Sequence, residues 1–281
     1  MPLYQAIVLA IVQGLTEFLP VSSTAHLWLI PWIFKWKDPG LTYDVALHAG
    51  TLVAVLLYFW RYWLEMIKMA LGMSEGSDGT PAKAGSIALL GENRKLFWFL
   101  VIATIPGGIA GLLFERAADE QLRSPLIVGA ALLVVGLVMW AGERMGNREV
   151  NLGQIGLVDS IVVGAAQAFA VIPGVSRSGS TMAAGLFRGM NRETAARFSF
   201  LLATPLVAGA CLKKGLEIHH HGMPADMRMP FLVGIMVSAL VGYAVIAVLI
   251  RYLERRTFTI FVVYRVILGV VLLTIGWGLR H

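Results

Sequence analysis

Cysteine is almost absent from this chain. One thiol, Cys211, stands in 281 residues, so no intramolecular disulfide can staple the fold. Charge is scarce as well: 14% of residues are Asp, Glu, Lys or Arg, against about 25% in an ordinary globular domain. Before Lys35 there is no Lys or Arg, and Glu17 is the only formally charged side chain in that stretch. The basic leader of a cleaved signal peptide is therefore missing, and the first apolar stretch is expected to remain in the mature protein. These shortages exclude a soluble enzyme, a disordered chain and a secreted disulfide scaffold.

What is abundant is apolar surface. Hydrophobic residues make up 57% of the chain, with 30 Gly, and the mean hydropathy is +0.73. Gly is commoner in membrane helices than in soluble ones. The class is an all-α polytopic integral membrane protein. The net charge of +6 does not point to a nucleic-acid partner, because the cations cluster between apolar stretches, as in loops that face anionic lipid headgroups.

A membrane-spanning helix needs about 20 mostly apolar residues. Tyr43–Tyr62, Leu96–Phe114, Leu126–Trp140, Phe231–Ile250 and Phe258–Leu279 approach that standard, and Ala195–Leu212, with Pro205 inside it, makes a sixth. The polar stretches Gly72–Lys95, Glu115–Ser124, Glu143–Asn151 and Lys213–Met229 read as loops. Two further apolar stretches are interrupted. Leu3–Leu19 stops at Pro20-Val21-Ser22-Ser23-Thr24 and resumes over His26–Phe34; Ile155–Ile172 stops at Pro173 to Thr181 and resumes over Met182–Phe187. Each resumed piece is too short to span, so each stretch is expected to be a re-entrant hairpin, tolerated only where it is buried in protein or lines a polar cavity.

Gln13 and Pro20 in one half correspond to Gln167 and Pro173 in the other, and three long helices follow each interrupted pair. The chain thus reads as one membrane domain, 1–281, built from repeats of about 1–146 and 151–281, each of five elements. An odd number of crossings per half makes the repeat inverted, and paired interrupted segments point to a site near the bilayer midplane. More Lys and Arg fall on the side that holds Arg61, Arg144, Arg188 and Arg255 than on the side of Lys35, Lys213 and Arg280. The positive-inside bias then puts both termini outside the cytoplasm. Arg177 and Arg265 are left at bilayer depth.

An ionisable group at that depth costs at least about 2.5–3.5 kcal/mol and is a functional candidate by default. Glu17 lies one helical turn from Gln13, just before the first break, with Ser22, Ser23, Thr24 and His26 beyond it. Arg177 sits in the second break among Ser176, Ser178, Ser180 and Thr181. These groups suit phosphate: a guanidinium fork binds its oxygens in pairs, a Gly/Ser-rich helix start adds N–H donors, and a carboxylate beside phosphate commonly holds a divalent cation. Ser23 and His26, spaced i, i+3, would share one side of a helix as nucleophile and base. Plainer readings stand beside each of these. Glu17 and Arg177 could form a structural ion pair, the hydroxyls could only cap broken helices, and His26 could be a packed, hydrogen-bonded residue. Asp44 and His48, i and i+4, suit a local hydrogen bond better than a proton relay. His219-His220-His221 reads as a solvated run in a loop, and Trp28, Trp32, Trp36, Trp60 and Trp63 as an interfacial belt.

The run Gln13-Gly14-Leu15-Thr16-Glu17-Phe18-Leu19-Pro20-Val21-Ser22-Ser23-Thr24-Ala25-His26 closely resembles the first signature of the undecaprenyl-diphosphate phosphatases of the bacitracin-resistance type. Pro173-Gly174-Val175-Ser176-Arg177-Ser178-Gly179-Ser180-Thr181 is similar to the second. The resemblance covers essentially the whole chain. Departures are Gln13, where the signature often has a second Glu, and Ala25, where Gly is commoner before the histidine. The resemblance implies a metal-assisted hydrolase, with Mg or Ca, that converts undecaprenyl diphosphate to undecaprenyl phosphate in the bacterial plasma (inner) membrane. That reaction would recycle the lipid carrier for peptidoglycan synthesis and confer bacitracin resistance. By motif match, Ser23 would be nucleophile, His26 its acid/base partner, and Glu17, with Gln13, the metal ligand. Arg177 would clamp the diphosphate, and Ser22, Thr24, Ser176, Ser178 and Thr181 would add donors. The polyprenyl tail would lie in apolar grooves between helices; a homodimer is left open. A transporter or flippase of a phosphorylated polyprenol is the alternative, since broken helices in an inverted repeat serve translocation too. A structural scaffold would leave intramembrane Glu17 and Arg177 unexplained.

Overall fold

A computed structural model describes residues 1–73, 90, 93–120, 122, 124–222 and 224–278. The described residues form helices and no strand. In chain order these are α1 (Leu3–Phe18), α2 (Ser23–Phe34), α3 (Leu41–Tyr58), α4 (Trp60–Ala70), α5 (Leu96–Glu120), α6 (Pro125–Met145), α7 (Leu157–Ala168), α8 (Arg177–Phe187), α9 (Arg192–His221), α10 (Ala225–Arg255) and α11 (Thr259–Gly278). Among them, 6 are long and apolar enough to cross a membrane: α3, α5, α6, α9, α10 and α11. They match the expected spans one for one. The surface is apolar where a soluble protein's would be polar, with Leu112, Leu137, Leu240 and Val248 all exposed. The interior holds Gln13, Glu17, Gln167, Ser199 and Arg265. Hydrocarbon outside and hydrogen-bonding groups inside is the arrangement a lipid solvent selects.

Helix ends run further than composition suggests. The expected loop Lys213–Met229 is a turn around residue 222, because α9 continues through His221 and α10 begins at Ala225. The histidine run therefore ends a helix. The start of the expected loop at Glu115 is helical to Glu120; most of the expected loop Gly72–Lys95, with Lys83, lies outside the described residues, as do Arg123 and Arg280. The span Tyr43–Tyr62 divides at Phe59, and α4 follows as an amphipathic helix that buries Tyr62, Met66 and Met69 while exposing Arg61 and Lys68. Trp63 packs on the core with its indole nitrogen buried.

The short helices pack across the chain. α1 lies on α10 and α7 on α5, so each is held by a long helix from the other half of the sequence. α11 packs on α6, and α3 on α9, which further ties the halves together. Both breaks have the same backbone device. Ser22 and Ser176, directly before α2 and α8, have φ of 75° and 70°, a conformation that costs a non-glycine residue roughly 1–3 kcal/mol. The interval from Gln13 to Ser22 equals that from Gln167 to Ser176. Beside the second serine, Gly174 has φ +94°, and a Cβ there would stand 2.6 Å from the Val128 carbonyl, so only glycine fits.

Candidate active site

α1 delivers Gln13 and Glu17 on one face, a helical turn apart. The chain then reverses at Pro20, and α2 returns Ser23 to Glu17. The Ser23 hydroxyl donates to Glu17 Oε2 at 2.6 Å, and Gln13 Nε2 donates to the same oxygen at 3.2 Å. From the second break, Arg177 Nη2 donates to Glu17 Oε1 at 3.0 Å. Residues far apart in sequence thus meet at one buried carboxylate. The plainer reading, a buried Glu17–Arg177 ion pair, describes the same contact; it does not account for Ser23 on the other carboxylate oxygen.

Arg177 Nη1 is taken by the Ser199 carbonyl at 3.0 Å, and its Nε is buried without a partner. Ser176 accepts from the Gly179 N–H at 3.1 Å and so caps α8, while Ser178 donates to the Leu19 carbonyl across the two breaks at 3.2 Å. Thr181 is buried against Ser199 Oγ at 2.7 Å and the Arg177 carbonyl, and Ser22 and Thr24 share a 3.2 Å contact. Because α8 starts at Arg177, most of the second break's hydroxyls stand on a helix and not in a loop.

The Ser23–His26 pair expected from i, i+3 spacing is not formed. His26 Nδ1 meets the Ser22 carbonyl at 2.7 Å, which fixes the proton on that nitrogen, and Nε2 accepts from the Tyr264 hydroxyl at 2.5 Å. Both ring nitrogens are committed, and Ser23 turns to Glu17.

Several participants escaped sequence reasoning. His48 does bond locally to the Asp44 carbonyl at 2.7 Å, but its Nε2 also reaches Glu17 Oε2 at 3.4 Å. With a second ring proton that contact is an ion pair. Gln167 is buried with both amide atoms unpartnered; its repeat relation to Gln13 was the available signal. Tyr264 and Ser199 carried none. Arg265, visible beforehand only as a cation at bilayer depth, is fully buried.

Glu17, Ser23, Thr24, His48, Gln167, Ser176, Arg177 and Ser178 line a cavity of about 580 Å³ whose other walls include Val45, Leu112, Leu206 and Val207. A second cavity, of about 380 Å³, is walled by Pro39, Tyr43 and Glu217 and holds none of these groups. Thr104, Lys213 and Lys214 also line it, and a largely apolar cavity with cationic and hydrogen-bonding groups on its wall suits a lipid with an anionic head. As for a metal, no group of three His, Cys, Asp or Glu side chains gathers among the described residues. The donors present are the Glu17 carboxylate and the buried, unpartnered Oε1 of Gln13. That set fits a hard cation that takes most of its oxygen ligands from a diphosphate, and not a cage built by protein alone.

The fold and cavity define a multi-pass α-helical membrane protein with a buried carboxylate, hydroxyl and guanidinium facing an amphipathic ligand space. The chain belongs to the bacitracin resistance protein BacA family, whose model matches residues 6–271. It is 46% identical over 277 residues to a protein of Moorella thermoacetica named undecaprenyl-diphosphatase, covering 99% of each chain. Proteins of the same name from Desulforudis audaxviator and Thermomicrobium roseum are 46% and 44% identical, each over 97–98% of both chains.

Proposed function

We propose that this protein hydrolyses undecaprenyl diphosphate to undecaprenyl phosphate and phosphate. The observation that carries the reading is the meeting of Ser23, Glu17 and Arg177 on the wall of a largely apolar cavity. The relatives' names supply the substrate. A bidentate grip on the diphosphate requires Arg177 Nη2 to leave Glu17 for a phosphate oxygen, joining the spare Nε. That exchange releases one side of the Glu17 carboxylate, which then takes the Ser23 proton. Ser23 Oγ bonds to the terminal phosphorus, the bridging P–O bond breaks, and its electron pair leaves on undecaprenyl phosphate. Water afterwards cleaves the phosphoserine, and Ser23 recovers its proton from Glu17. His26, locked by Tyr264, holds the Ser22 carbonyl and with it the turn that presents Ser23. Ser176, Ser178 and Thr24 add donors, and Thr181 braces Arg177 through Ser199. A divalent cation, Mg²⁺ or Ca²⁺, held by Gln13 and Glu17 with the diphosphate, would neutralise charge on the departing oxygens.

The two interrupted pairs are read as re-entrant hairpins in an inverted repeat. Support comes from the matching positive-φ serines and from the crossed packing of α1 on α10 and α7 on α5. The cytoplasmic face of the plasma membrane is assigned to the Arg-rich side. Arg148 and Arg192 pair with Glu143 there, Arg188 pairs with Asp159 at 2.7 Å, and Arg197 reaches Tyr62. In that orientation both termini lie outside. Carrier recycling for peptidoglycan synthesis and bacitracin resistance follow from removing the diphosphate.

Phosphate release from a long-chain polyprenyl diphosphate by the purified protein, with and without EDTA, tests the reading. Release that Ser23→Ala abolishes and EDTA suppresses is expected. Lipid translocation in vesicles without phosphate release would favour the transporter instead.

A further inference from the structure

Arg265 has no counterpart in the reaction just described, yet among the described residues it stands first of the large, fully buried side chains. It lies within α11, about 9 Å along the helix from its start at a rise of 1.5 Å per residue. Among the described residues no carboxylate pairs with it. Instead its guanidinium donates to backbone carbonyls from three separate segments. Nη1 reaches Pro20 of the first break at 3.1 Å, and Nη2 reaches Gly174 and Val175 of the second at 3.0 and 3.1 Å. Nε holds Leu132 of α6 at 3.2 Å.

Breaking a helix leaves carbonyls without intrahelical partners, and in a bilayer such orphans are expensive. One planar fork with five N–H groups can satisfy several of them at once and in fixed directions; an ammonium cannot reproduce that fan. The same helix supplies Tyr264, whose hydroxyl holds His26.

We propose that Arg265 is the positioning residue of this site: by tying the carbonyls of both breaks to one guanidinium, it sets the spacing at which Arg177 meets Glu17 and Ser23. It acts through the backbone of the breaks and touches no substrate. The effect on turnover rests on the phosphatase reading; the effect on the geometry of the breaks does not.

The test has two readouts on one variant, Arg265→Lys, purified and checked for monodispersity and Tm. Turnover should fall at least about tenfold per folded molecule, since small misplacements of reacting groups cost that much or more. In a Cys211→Ser background, a Leu19→Cys/Ser178→Cys pair reports the distance between the breaks, and Asn151→Cys/Asn191→Cys serves as a surface control. Arg265→Lys should slow crosslinking of the first pair several-fold and leave the control unchanged. If Arg265→Lys folds poorly, Arg265→Gln is measured the same way, on whatever fraction is monodisperse. A lowered Tm with normal turnover and normal crosslinking would overturn the proposal and leave Arg265 a fold anchor. Slowed crosslinking in a protein whose unmodified form releases no phosphate would sustain the positioning and sink the phosphatase reading.

Discussion

Glu17 receives Arg177, Ser23, Gln13 and His48 on two oxygens, so each neighbour can be changed singly and its share read. Arg177→Lys keeps the charge and loses the fork. It should fold, keep the Ser199 region packed, and lose at least about tenfold in kcat/KM; wild-type turnover would remove Arg177 from the mechanism. In the proposed mechanism Glu17→Gln removes both the proton acceptor and the carboxylate offered to a cation. Phosphate release should disappear, whereas Gln13→Glu should lower the metal concentration that gives half-maximal rate. A Glu17→Gln enzyme with an unchanged metal requirement would demand another ligand set. Gln167 presents an amide with no partner to the cavity that, in the proposed function, receives phosphate oxygens. A buried donor left unsatisfied costs about 1–3 kcal/mol, which a ligand oxygen recovers. Gln167→Leu should therefore raise KM several-fold with little change in Tm, and an unchanged KM would leave the amide idle.

The short elements α1, α2, α7 and α8 matter more than their lengths suggest. Their existence was legible, because Pro20 and Pro173 interrupt otherwise continuous apolar runs and hydroxyls crowd behind them. Glu17 and Arg177 were legible too, as the charges a bilayer would not tolerate without cause. What could not be read was direction. An i, i+3 spacing puts Ser23 and His26 on one side of a helix, but the serine backbone at positive φ turns Ser23 toward Glu17 and His26 toward Tyr264. His48 and Tyr264 come from elements packed alongside, and nothing local in the chain announces such neighbours. Hydropathy likewise mistook the polar end of α9 for a loop, because the end of a spanning helix may be polar once it leaves the hydrocarbon. At Gly174 the demand for a bare backbone is strict: positive φ and the Val128 carbonyl both forbid a side chain. Gly174→Ala should cost roughly 1–3 kcal/mol in thermal unfolding and depress turnover with it. A variant of unchanged Tm and rate would show that the break can reshape.

Among the described residues one group of ion pairs is dense. Glu143, Asp159 and Glu193 sit with Arg148, Arg188, Arg192 and Arg197 on one face, and the aromatic partners Trp60 and Trp140 lie under Arg61 and Arg144 at 5.1 and 5.7 Å. Taken as the cytoplasmic face, it makes a directional statement. In a Cys211→Ser background, Lys35→Cys should react with an impermeant maleimide in intact cells, and Arg255→Cys only after lysis. The reverse pattern would invert the molecule.

The crossed packing also sets a schedule. α1 waits for α10, the first break waits for the second, and both wait for Arg265 in the last helix. A ribosome that has finished the first five helices has made Glu17 and Ser23 but not their enzyme. The nascent chain must sit in the membrane with its polar groups uncollected until the final helix arrives. In the proposed function, phosphate release would thereby be withheld from every incomplete copy, and two halves made as separate chains should each be inert and become active only on meeting.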